Sequence, residues 1–334
     1  MFDIWNRRYT GSKYKLSGWI KHLIEENCKG DSFCDIFAGT GIISYTMLEK
    51  MKEIYINDFL YSNEIIYKAF FGLSKYDNKL MEDYCNKFRL LCADELDDNY
   101  ISDNFGGKFF SVSDAKKIGY IREFIEKNRN DFSDKEFSIL VASLLYSADK
   151  CANTVGHYDA YIKGKNVNDS FYFDLIKPYN LAKPKIYISR RDSNEFAKEL
   201  KCDIVYVDPP YNSRQYSRFY HILENITCWN KPELYGVALK PTPENMSDYC
   251  RSKAKIVFKD LIENLDCNYI VVSYNNTYGS KSSSSKNKMS LEYIEDMLSL
   301  KGKVKKFEKS HSFFTTGKTE FNDHKELIFI VEVR

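Results

Sequence analysis

Short β-branched and aromatic runs, each closed by a polar or glycine-rich stop, occupy the two ends of this chain and vanish from its middle. Phe33-Cys-Asp-Ile-Phe37, Glu53-Ile-Tyr-Ile-Asn57 and Lys185-Ile-Tyr-Ile-Ser189 predict strands, and Ile204-Val-Tyr-Val207 and Tyr269-Ile-Val-Val-Ser273 predict buried strands, the former suiting a parallel sheet, where both faces are covered and alternation is lost. Val304–Lys309 and Leu327–Val333 predict a closing antiparallel pair. Leu16, Ile20, Leu23 and Ile24 share one face of a helix predicted over Leu16–Glu26. From about Leu73 to Lys185 helical periods take over, at Lys79–Leu91, Ile118–Lys127 and Asp134–Ala148, broken by loops at 104–107 and 153–168. Such a gap is too long for neighbouring elements of a minimal sheet. It predicts a helical subdomain, 73–185, inserted into an α/β domain made of 1–72 and 186–334.

The strand stops carry the candidate chemistry. Asp35-Ile-Phe37 runs into Ala38-Gly39-Thr40-Gly41-Ile42, a strand–turn–helix junction whose two glycines let backbone approach a ligand. The third position of a dinucleotide fingerprint is Ser44, where close helix–strand packing would want glycine. Asp58 ends the second strand about 20 residues past the first glycine, where an acid binds ribose hydroxyls in such folds. A helix N-cap is the plainer reading of Asp58. Tyr9-Thr-Gly-Ser-Lys13 precedes the first helix; its turn could aim backbone N–H groups at an anion, with Lys13 adding a cation and Tyr9 a ring. Solvated lysines beside a capped helix are the alternative. Asp192 and Ser193 follow another strand end and could hydrogen-bond an adenine amine.

The fourth strand runs into Asp208-Pro209-Pro210-Tyr211. A double proline cannot continue a ladder, so a carboxylate, two carbonyls and a ring are left at the strand's carboxyl end, where open α/β sheets bind ligands. This set suits a planar exocyclic amine. Asp208 and the Pro209 carbonyl would accept its two N–H bonds and localise its lone pair, and the carboxylate would stabilise positive charge developing on nitrogen. Tyr211 would stack on the base. A strand ending in a Pro-Pro turn with exposed Asp and Tyr is the bland alternative.

Charge and composition narrow the partners. Among 334 residues, 49 Lys and Arg oppose 47 Asp and Glu, so a polyanion must be met by local patches. Nine cysteines without a C-x-x-C pair read as free thiols, with no zinc site and no metal. The start is not a signal peptide and no apolar run reaches a membrane span, which leads us to expect no membrane partner and a cytoplasmic location. Ser147–Lys163 interleaves polar, aromatic and basic residues, including Asn153, His157 and Tyr158, as nucleic-acid contacts do; a structural loop is the alternative. Arg214, Tyr216, Tyr220, His221 and Glu224 could hold a base outside its stack, and Lys281 and Lys286 in a serine–lysine tract could settle on phosphates.

The order Tyr9-Thr-Gly-Ser-Lys13, Asp35-Ile-Phe-Ala-Gly-Thr-Gly41, Asn57-Asp58, a long insertion, then Asp208-Pro-Pro-Tyr211 resembles the D12-class (Dam-like, α-group) N6-adenine DNA methyltransferases nearly end to end. Ser147–Lys163 and Asp208–Glu224 look most like the adenine methylases of type IIS restriction–modification systems. The resemblance implies a class I S-adenosylmethionine-dependent, Rossmann-like sheet with a helical target-recognition insertion. It implies S-adenosylmethionine as cofactor, duplex DNA as partner, and a restriction–modification setting that allows a cognate endonuclease. Tyr9, Lys13, Asp58 and Asp208 would meet the cofactor or the reaction centre. Asp35, Phe37, Gly39 and Gly41 would hold the methionine portion, with Asp192 and Ser193 at the cofactor's adenine. Ser12 departs from a glycine common in the family, Tyr9 from a tryptophan, and Asn230–Cys250 from the pattern altogether. Rival readings remain. An RNA adenine or protein glutamine methyltransferase would more often carry Asn in place of Asp208. A non-catalytic DNA-binding module would need neither the glycine turn nor the acid, and Ser44 disfavours a nicotinamide dehydrogenase.

Overall fold

The computed structural model of the chain describes residues 1–164, 166–180, 182–210, 213–276, 289–310 and 325–334. Tyr211, Lys281 and Lys286 lie outside them. The described helices are α1 (Ser17–Asn27), α2 (Ile42–Met47), α3 (Tyr61–Phe71), α4 (Asn78–Arg89), α5 (Tyr100–Phe105), α6 (Val112–Lys127), α7 (Asp134–Cys151), α8 (Ser193–Ala197), α9 (Tyr216–Phe219), α10 (His221–Cys228), α11 (Ala254–Asn264) and α12 (Leu291–Ser299). The strands are β1 (Ser32–Asp35), β2 (Glu53–Asp58), β3 (Lys185–Arg190), β4 (Lys201–Val207), β5 (Asp266–Asn275), β6 (Gly302–Ser310) and β7 (Lys325–Val333).

The chain divides into two compact units, each discontinuous in sequence. One contains Ser12–Phe59, Lys183–Gln215 and Asn245–Arg334. It holds a seven-stranded sheet of order β3-β2-β1-β4-β5-β7-β6. The first five strands run parallel, and β7 pairs antiparallel with both β5 and β6, so the mixed α/β fold expected from the apolar runs is present. One sheet face carries the main apolar cluster. Val205, Val207, Ile270, Val272, Leu327 and Phe329 meet Phe258, Leu261 and Ile262 of α11 and Ile294 and Leu298 of α12. Side chains alternate along a strand. The opposite face therefore receives Asp35, Tyr206, Ser273 and Glu326, and this polarity between faces positions the candidate site. Strand order reverses between β1 and β4, which makes their carboxyl ends the place for a ligand crevice.

The other unit contains Met1–Gly11, Leu60–Ala182 and Tyr216–Glu244, and is helical. It draws on more of the chain than 73–185, because α3 packs its buried Ile66, Tyr67 and Phe70 face against α7 and α10. Buried Lys135 donates from Nζ to the carbonyls of Lys68, Ala69 and Gly72, closing the carboxyl end of α3. Glu224 closes its other end, accepting from the backbone N–H groups of Tyr61 and Ser62. No helix among the described residues is long and apolar enough to cross a membrane.

Candidate functional site

In the sheet unit, the residues expected to do chemistry gather at the carboxyl ends of three adjacent strands. Asp35 closes β1 and has Tyr206 of β4 as its neighbour in register, and Ile36 N donates to the Tyr206 carbonyl at 3.2 Å. The turn that begins at Phe37 and the carboxylate of Asp208 therefore leave neighbouring strands side by side, each two residues beyond that pair. Gly39 and Gly41 adopt φ of 54° and 76°, the left-handed region that disfavours a side chain. Asp58 at the end of β2 accepts the Gly39 N–H at 2.9 Å, so it braces the turn. Asn57 donates from Nδ2 to the carbonyls of Ile36 and Arg191 and accepts from Ser189 and Arg191 N–H, tying the ends of β1, β2 and β3 together.

Asp35 is buried and accepts two hydrogen bonds on Oδ2, from Ser44 N and Ser44 Oγ, at 3.2 and 2.9 Å. Its Oδ1 is buried with no hydrogen-bond partner. Ser44 thus replaces a packing glycine with a donor for a buried acid, a role that sequence reading missed although the departure from glycine marked the position. Burial pushes the Asp35 carboxyl up to about 7; the charges of Asp208 and Asp58 add to this, and the Ser44 bonds oppose it.

Asp208 keeps 15% of its side-chain surface, while Pro209 beside it is buried. The Lys13 ammonium lies 3.0 Å from Asp208 Oδ1 and 3.2 Å from Glu326 Oε1. The cation expected to meet an anionic ligand is held between two withdrawn carboxylates in this chain. The helix after Lys13 starts at Ser17, behind a 3-10 turn over Tyr14–Leu16, so the exposed Gly11 and Ser12 are not its N-terminus and do not aim its N–H groups. Burial raises the Asp208 carboxyl to about 6, with Lys13 holding it down and Glu326 pushing it up. Glu326 carried no sequence signal; it reads as the charged end of an apolar strand 118 residues later.

Asp192 and Ser193 are both engaged. Asp192 caps α8, accepting from Asn194 and Glu195 N–H, and the Ser193 hydroxyl donates to the Ile36 carbonyl. They border the same strand ends as Phe37, whose ring meets Tyr249 edge-on at 5.0 Å. Arg214 is exposed.

In the helical unit, Tyr9 stacks on Tyr220 at 4.8 Å and on Tyr216 at 5.3 Å, with the buried Arg7 guanidinium over its ring. Tyr216 donates its hydroxyl to the Thr10 carbonyl. Asn153 and Tyr158 depart from the expected DNA contact. Tyr158 is fully buried with its hydroxyl on Asp149, and Asn153 donates to the carbonyls of Lys108 and Ile162. These bonds tie their loop to Lys108 and to α7. His157 is half-buried and stacks on Phe219 at 4.5 Å. Glu224 and His221 are also scaffold. Both ring nitrogens of His221 face carbonyls, of Arg218 and Ala238, and burial holds the ring neutral by lowering it to about 4.

The raised carboxyls have a measurable consequence. Between about pH 4 and about pH 7 the folded chain retains protons on Asp35 and Asp208 that the unfolded chain has released, so stability falls as pH rises through that window. Each such group contributes up to about 1.4 kcal/mol per pH unit. Asp35→Asn should flatten the decline in thermal melts across the window; an unchanged slope would refute a buried, protonated Asp35.

Comparison with known proteins gives a consistent set. The model of the D12 class N6 adenine-specific DNA methyltransferases matches residues 9–289. The type II methyltransferase M.NlaIII of Neisseria lactamica is 31% identical over 336 residues, covering 95% of each chain. Modification methylase StsI of Streptococcus sanguinis is 32% identical over 288 residues, which are 80% of this chain and 44% of that protein. Type II methyltransferase M.CviAII of Paramecium bursaria Chlorella virus 1 is 30% identical across 97% of this chain and 98% of its own length. The chain thus spans less than half of StsI and nearly all of the other two.

Proposed function

The chain belongs to the D12 class of N6 adenine-specific DNA methyltransferases, and from that premise we propose that it transfers a methyl group from S-adenosylmethionine to the exocyclic amine of an adenine rotated out of duplex DNA. The observation that carries the reading is the juxtaposition of the Asp208 carboxylate with the glycine turn at the sheet's reversal point. The residues fit the cofactor. A turn with two left-handed glycines leaves backbone room, the buried Asp35 Oδ1 lacks a hydrogen-bond partner, and Asp58 stands against the turn at Gly39. When bound, S-adenosylmethionine supplies an electrophilic methyl on a positively charged sulfur. Phe37, Gly39, Gly41 and Asp35 would hold its methionine portion, Asp58 its ribose, and Asp192 and Ser193 would border its adenine.

Asp208 and the Pro209 carbonyl would accept the two N–H bonds of the target amine and turn its lone pair toward the methyl. Holding the partners in line lowers the barrier by about 7–11 kcal/mol. Rotating the base out costs a few kcal/mol; stacking on Tyr211 would return about 1–3 kcal/mol. His157, Arg214 and Tyr216 remain candidates for DNA contact, with Lys281 and Lys286 on phosphates, and the helical unit would supply target choice. A modification role beside a restriction endonuclease of the same target fits the relatives' names.

Two measurements test this. Calorimetric titration with S-adenosylmethionine should show one site per chain. Labelled methyl should then appear as N6-methyladenine in duplex DNA, with genomic sequencing of expressing cells returning a defined target. Cofactor binding with label in RNA or in protein amides instead would overturn the DNA assignment.

A further inference from the structure

The Lys13 ammonium is shared almost evenly. It stands 3.0 Å from Asp208 and 3.2 Å from Glu326, and all three side chains are withdrawn from solvent, with Lys13 and Glu326 only 5% and 4% exposed. Glu326 lies on β7, beyond residue 289 where the family match ends. Its own position is fixed: Ser273 of β5 donates Oγ–H to the Glu326 Oε1 at 2.7 Å, and Asn275 is its neighbour in register. Resting on the reading of Asp208 as the amine acceptor, we propose that Glu326 is a positioning residue of the methyl-transfer centre, which shares Lys13 with Asp208 and so keeps that carboxylate a strong acceptor for the adenine amine.

An ammonium has three donors and no acceptor, and a carboxylate bound by it alone loses much of its pull on a second donor. With Glu326 ionised, Lys13 satisfies two acids and neutralises neither. Its placement secures the loop before α1 while Asp208 retains a lone pair for the substrate. With Glu326 uncharged, Lys13 settles on Asp208 alone. Among the described residues, Asp35 on β1 and Tyr206 on β4 also feel the Asp208 charge, and neither supplies a compensating cation.

Glu326→Gln preserves shape and the Ser273 contact while removing the charge. Methylation kcat should fall about tenfold with KM for DNA and for S-adenosylmethionine within twofold, and the acidic limb of the pH–rate profile should move to lower pH. Glu326→Asp should keep the limb near its wild-type place. A second readout needs no turnover. Glu326→Gln should make melting temperature less dependent on pH between about 4 and about 7, and this difference should vanish in an Asp208→Asn background. A change in melting temperature alone, with limb and pH slope unmoved, would overturn the proposal. If Asp208→Asn methylates at the wild-type rate, the reading of Asp208 as acceptor fails and the proposal with it, even where the melting cycle shows the two charges coupled.

Discussion

Asp208→Ala should abolish measurable methyl transfer, a loss of about 10³-fold or more, while the chain stays folded and binds cofactor within a few-fold. The expectation follows from the division of labour at the strand ends. The glycine turn is braced by Asp58 and Asn57, and Asp35 is held by Ser44, so none of that support passes through Asp208. Asp208 itself is a reluctant anion, since burial raises its carboxyl to about 6. Its removal relieves a desolvated charge, and Lys13 keeps Glu326 as a partner at 3.2 Å. Thermal melting within a few degrees of the parent, with single-turnover methylation at background, is the expected pair of results. Turnover retained by the variant would remove Asp208 from the chemistry.

Lys13→Met should be the more damaging change to the fold. It leaves Asp208 and Glu326, two withdrawn carboxylates, without the cation between them. Removing one member of a buried ion pair typically costs about 3–5 kcal/mol. The loss should depend on pH in a definite sense. Without Lys13 the Asp208 carboxyl moves further above the ordinary carboxylate range, so the folded variant takes up a proton where the unfolded chain does not. The penalty is therefore largest in alkaline solution and shrinks toward about pH 4. Activity should show the reverse demand, because the amine needs an ionised acceptor. At neutral pH the rate should fall with the ionised fraction, about tenfold for each unit by which the carboxyl passes the ambient pH, and recover as pH is increased. Denaturant titrations at several pH values beside a pH–rate profile check both halves. Equal destabilisation at pH 5 and pH 8 would show that Lys13 acts through packing alone.

The centre of the sheet was legible in the sequence because β4 and β5 bury both faces, and such strands announce themselves as unbroken apolar runs with hard stops. The acid at the end of β4 and the glycine turn after β1 could be singled out for the same reason: the stops are where chemistry is exposed. What stayed hidden are partners that meet only in three dimensions. Glu326 joins Lys13 and Asp208 across an antiparallel strand closing more than a hundred residues later. Ser44 looked like a missing glycine until its hydroxyl was seen on Asp35. Interleaved polarity at Ser147–Lys163 suggested a nucleic-acid surface, yet Asn153 and Tyr158 spend their side-chain polar groups on Lys108, Ile162 and Asp149 within the helical unit. Alternating polar and aromatic residues describe a satisfied interior loop as well as a binding face, and burial decides between them.

The backbone moves from one unit to the other five times, after Gly11, Phe59, Ala182, Gln215 and Glu244. A recognition module carried on one contiguous stretch can be exchanged between relatives with two cuts; this helical unit would need five junctions to be respected at once. If the helical unit chooses the target, as proposed above, that preference should resist transplantation as a block and change instead by scattered substitutions. During synthesis, β1 must also wait for β4, more than 160 residues downstream, before both of its edges are covered. A nascent chain halted before residue 207 should present that unpaired edge to chaperones.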